Sequence, residues 1–67
     1  MSKKRWSEQR FETFLANLLA RRLEPIGGQV ATFENNGVLT MNRGLVVTLP
    51  NEQEFQLTIV DSTRYLP

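Results

Sequence analysis

Cysteine and histidine are both absent from this sequence. Without cysteine there is no disulfide framework and no thiolate metal site. Without histidine the chain lacks the commonest acid or base near neutral pH and the commonest metal ligand. Both absences fit a reducing compartment. Long apolar runs are missing too. A bilayer-spanning helix needs about 20 consecutive apolar residues, and the stretch from Phe11 to Leu23 is broken by Glu12, Asn17 and Arg21. The opening MSKKRW is basic but has no apolar segment behind it, which argues against a secretory signal. The expectation is a cytoplasmic protein with no membrane partner.

Charge of one sign is also scarce overall. The net charge is +1, with 8 basic and 7 acidic residues, which argues against avid, non-specific binding to nucleic acid. The distribution is less even. Residues 1–22 carry Lys3, Lys4, Arg5, Arg10, Arg21 and Arg22 against Glu8 and Glu12. Residues 23–67 carry Arg43 and Arg64 against Glu24, Glu34, Glu52, Glu54 and Asp61. The first part is basic and the second acidic, a dipole able to orient a partner. Ordinary solubility charge gives the same pattern.

What is present is enough for one domain. A chain of 67 residues buries only about 60% of the surface its unfolded form exposes, so its stability is modest and a partner surface can add to it. Residues 1–6 read as a basic tail, 7–60 as a single domain and 61–67 as a C-terminal tail. Ser7 is placed to cap a helix, and Trp6 and Phe11 have the spacing of a hydrophobic staple across that cap. Phe11, Phe14, Leu15, Leu18 and Leu19 then recur at helical spacing on one face. Glu8, Gln9, Glu12, Thr13 and Asn17 take the other side. Arg21 and Arg22 suit the negative end of the helix dipole, and Pro25, Gly27 and Gly28 end the helix after Leu23.

Beyond Gly28 the period becomes two. Ala31 and Phe33, Leu39 and Met41, Leu45, Val47 and Leu49, and Phe55, Leu57 and Ile59 are all odd-numbered, so one shared apolar face is expected beneath the helix. Turns at Asn35-Asn36-Gly37 and Asn42-Arg43-Gly44, with an odd-length connection around Pro50 to Glu54, keep that parity. The fold expected is α+β: one N-terminal amphipathic helix packed on a three- or four-stranded antiparallel meander. Four strands lie near 29–34, 38–41, 45–49 and 54–60. In the three-stranded alternative, residues 38–49 form one long strand bulged at Gly44. Leu15, Leu18, Val47 and Leu57 are the expected core.

The chemistry-bearing residues form no catalytic pattern. Glu8 and Glu12 lie a helical turn apart without a third ligand, a poor metal site. Glu52 and Glu54 read as turn and edge residues. Asp61-Ser62-Thr63 has no base to activate the serine. Gly27-Gly28 lacks the spacing and the lysine of a phosphate loop. No enzyme activity, cofactor or metal is expected. The reading is a non-enzymatic protein-interaction module of the accessory or inhibitory kind, acting as a homodimer or on a larger protein. Its candidate partner contacts are Lys3, Lys4, Arg5 and Arg10 at the basic end, and Val30, Val38, Val46 and Val60 on the even-numbered sheet face. The alternative is weak nucleic-acid binding through the basic N-terminal region, with Trp6 as a stacking group.

Overall fold

A computed structural model describes residues 5–38 and 40–63. Helix α1 runs Glu8–Leu23, and a 3₁₀ turn, Glu24–Ile26, follows it. Strands β1 (Gln29–Thr32), β2 (Arg43–Thr48) and β3 (Glu54–Ile59) form one antiparallel sheet in the order β1-β2-β3. This is the expected α+β fold, with three strands among the described residues.

The helix starts where the cap places it. Ser7 Oγ accepts a hydrogen bond from the Arg10 N–H at 3.0 Å, satisfying an amide with no partner inside the helix. The end is equally explicit. Pro25 sits in the 3₁₀ turn, Gly27 takes a left-handed φ of +89°, and the Gly28 N–H donates to Leu23 O at 2.8 Å. A side chain at Gly28 would come within 3.0 Å of Leu23 Cβ, so the chain enters β1 tight against the helix end.

Helix α1 packs on β1 and β2 and scarcely reaches β3. It is also turned about its axis by roughly a quarter-turn from the expected orientation. Glu12, expected on the solvent side, is only 5% exposed, whereas Leu18, expected in the core, is 47% exposed. Leu15, Ala16, Leu19, Ala20 and Leu23 are half-buried beside Glu12, and Phe11 and Phe14 are exposed. Small Ala16 and Ala20 permit close approach to the short strand β1. The bulky Phe11 and Phe14 pack with Trp6, at ring-centroid distances of 6.5 and 5.3 Å from the indole.

The sheet register corrects the parity rule in one strand. Between β2 and β3 it holds: Leu45 pairs with Leu57 and Val47 with Phe55, a shift of two residues from the pairs Val47 with Leu57 and Leu49 with Phe55 expected from the sequence. Between β1 and β2 it fails: Val30 pairs with Val47 and Thr32 with Leu45, which puts Ala31 and Phe33 on the opposite face from Leu45. The reason is the connection. Residues 38–41 form no strand among the described residues, and Arg43 and Gly44 belong to β2 rather than to a turn. The longer link no longer dictates the register. Gly37 does take its left-handed conformation, at φ +73°, but in a local turn closed by the Val38 N–H to Phe33 O. Phe33 then finds room over Gly44, where the missing side chain leaves a gap, and is 4% exposed.

The core is thus centred on β2. Leu45 is fully buried, and Val46, Val47, Phe33 and Ile59 are buried around it. The odd-length connection from β2 to β3 is a turn with the Glu52 N–H on Leu49 O, closed by the Leu49 N–H on Gln53 O. Pro50 supplies its fixed φ to that turn, and Glu52 takes the left-handed position at φ +73°.

Candidate interaction surface

Burial of Glu12 is explained by one backbone group. The Phe33 N–H donates to Gly44 O at 2.9 Å, but the chain turns there, and Phe33 O accepts instead from the N–H groups of Asn36 and Val38. The Gly44 N–H donates to Glu12 Oε2 at 3.0 Å, and Arg43 Nη1 lies 3.5 Å from Glu12 Oε1. The carboxylate takes the place of the missing strand carbonyl and joins helix to sheet. Glu12→Leu should therefore cost about 1–3 kcal/mol by leaving a buried amide without an acceptor. Glu12→Gln, which keeps an acceptor, should recover most of it. Urea unfolding of the two variants checks this.

Past β3 the chain closes back on the helix start. The Asp61 N–H donates to Glu8 Oε2 at 2.7 Å, and the Asp61 carboxylate pairs with Arg5. Hydrogen bonds from the Thr63 side chain and backbone, then Arg5, lower the Asp61 pKa to about 2. A lowered folded-state pKa means that Asp61 adds stability above its unfolded value near about 4, and that this is lost as pH falls toward about 2. Stability measured through that window should fall in the wild type. In Asp61→Asn this part of the acid dependence should be gone.

Between this clasp and the helix lies a groove of about 620 Å³. Trp6, Phe11 and Leu15 line one wall and Leu57, Ile59 and Val60 the other, with Arg5, Glu8 and Asp61 at the rim. The groove continues into a half-exposed apolar band. Trp6 and Phe11 are 43% exposed, Phe14 and Leu18 47%, Phe55 49% and Leu57 36%. The band exists because α1 packs on β1 and β2 and leaves Phe55 and Leu57 of β3 open, while Ile59 is buried. Exposed apolar groups gathered this way mark interaction surfaces more often than scattered ones do.

The residues singled out from sequence fall elsewhere. Lys3 and Lys4 lie outside the described residues. Arg5 is held by Asp61, and the Arg10 guanidinium sits 4.3 Å from the centroid of the Trp6 ring. The four valines do not share a face. Val30 is on the helix-facing side with Val47, Val46 is on the other side and 3% exposed, Val38 lies in the loop, and Val60 follows β3 at 59% exposure. The structure therefore brings together the apolar helix flank and β3, not the even-numbered valines. The sequence did carry a signal for this. The apolar residues from Phe14 round to Leu23 span about half the helix circumference, more than the ~100° stripe that one packed face uses.

No helix among the described residues is long and apolar enough to cross a membrane. Compared with models of known families, with curated proteins and with solved structures, the chain matches none.

Proposed function

We propose that this chain is a non-enzymatic protein-interaction module that binds through the apolar band between α1 and β3. The observation that carries the reading is the exposure of Trp6, Phe11, Phe14 and Leu18 at the helix and of Phe55 and Leu57 on β3, beside the groove that Trp6, Phe11 and Leu57 line, in a very small domain. Burying this band against another protein returns roughly 25 cal/mol for each Å² of apolar area removed from water. A soluble accessory or inhibitory factor, working in the cytoplasm as a homodimer or on a larger protein, fits such a surface.

Trp6 is the sole tryptophan and stands in the groove, so its fluorescence reports on the surface directly. Its emission should shift to shorter wavelength as protein concentration rises or a protein partner is added. Phe14→Glu, a change at a half-exposed site, should abolish the shift while leaving the circular dichroism spectrum intact. An emission that ignores protein and responds only to single-stranded nucleic acid, in a salt-sensitive way, would replace this reading with the nucleic-acid one.

A further inference from the structure

Strand β3 has two unmet requirements, and one partner meets both. Its helix-facing side is open at Phe55 and Leu57, though Ile59 is buried, and no strand among the described residues pairs with its outer edge. The direction of its backbone groups follows from the register. Gly44 O accepts from the Phe33 N–H, so the backbone groups of Gly44 point toward β1. Strand alternation turns those of Arg43, Leu45 and Val47 toward β3, where they meet Ile59, Leu57 and Phe55. The amides and carbonyls of Glu54, Gln56 and Thr58 therefore face outward.

We propose that β3 pairs antiparallel with β3 of a second copy of this chain, giving a six-stranded sheet with both helices on one face. This rests on the interaction reading above and names its partner and its geometry. A two-fold axis perpendicular to the sheet keeps the two apolar bands on the same side. The exposed helix flanks, Phe11, Phe14 and Leu18, then meet over the two central strands. Cross-strand neighbours share a face, so the register with Gln56 opposite Gln56 sets Phe55 beside Leu57 of the second copy. It also sets Glu54 opposite Thr58, with no like charges facing each other. The area is of the right order. Full aromatic side chains present about 150–250 Å², so the observed exposures leave roughly 500 Å² of apolar surface on each copy. A standard interface takes about 800 Å² per partner, and the paired strand backbones and the rim supply the difference.

The geometry separates the edge from the face. The Gln56 N–H points away from β2, so Gln56→Pro removes an intermolecular donor without breaking a sheet bond of the protomer. Sedimentation of Gln56→Pro should show association weakened roughly tenfold or more, with a folded protomer by circular dichroism. In the wild type, amide exchange at Glu54, Gln56 and Thr58 should slow as concentration rises. This reading needs no variant and stands if Gln56→Pro fails to fold. A dimer lost in Phe14→Glu, but intact in Gln56→Pro and with fast Gln56 exchange, would overturn strand pairing and leave the interaction module standing. A wild type that stays monomeric at high micromolar concentration overturns the pairing outright. A complex formed only with a different protein overturns it too, and preserves the broader function.

Discussion

Gly44→Ala is expected to leave the fold marginal or lost. The added Cβ would overlap the Leu57 carbonyl oxygen and the Phe33 ring. The ring could shift, but the carbonyl belongs to the β2–β3 ladder and cannot move without breaking it. Overpacking of this kind costs about 1–3 kcal/mol, and more where backbone is the obstacle. A domain of this size has a total stability of roughly 3–10 kcal/mol. Thermal melting by circular dichroism should show a large fall in midpoint or no transition. Adding Phe33→Leu should rescue only part of the loss, because the carbonyl remains. A midpoint within a few degrees of wild type would mean that Phe33 does not occupy the gap at Gly44.

Leu45→Ala should cost about 2–5 kcal/mol, the range for removing a buried leucine side chain and leaving a cavity. Leu45 lies at the centre of the middle strand and is fully buried. Leu18→Ala, measured at concentrations low enough to hold the protomer apart, should cost far less, because Leu18 is 47% exposed there. Denaturant unfolding of the pair separates core from surface within the same apolar pattern. Equal losses for the two would place Leu18 in the protomer core and remove the basis of the exposed band.

That contrast shows how much of the molecule could be read in advance. The helix limits were legible because Ser7, Pro25 and Gly27 act locally, through a cap, a fixed φ and a left-handed turn. The β2–β3 hairpin was legible because an odd-length turn fixes which residues share a face. Helix rotation was not legible. It depends on Glu12 meeting an amide 32 residues away, and no local pattern marks a carboxylate as the acceptor for a distant strand. The face of β1 was lost for a similar reason. Odd-numbered Ala31 and Phe33 matched the period, but Phe33 was drawn to the far side by the gap at Gly44. Met41, expected in a strand, is fully exposed. The candidate surface inherited both errors: even-numbered valines looked like a face only while every strand kept one parity. Once Glu12 turns the helix, the surplus apolar residues come out beside β3 instead.

The central claim is that this surplus serves association, and the solution mass of the unmodified chain tests it most directly. Light scattering coupled to size exclusion should give about twice the protomer's 7.7 kDa at tens of micromolar, falling toward the single mass on dilution. A mass of one protomer throughout, up to high micromolar concentration, would contradict the self-association on which this account relies.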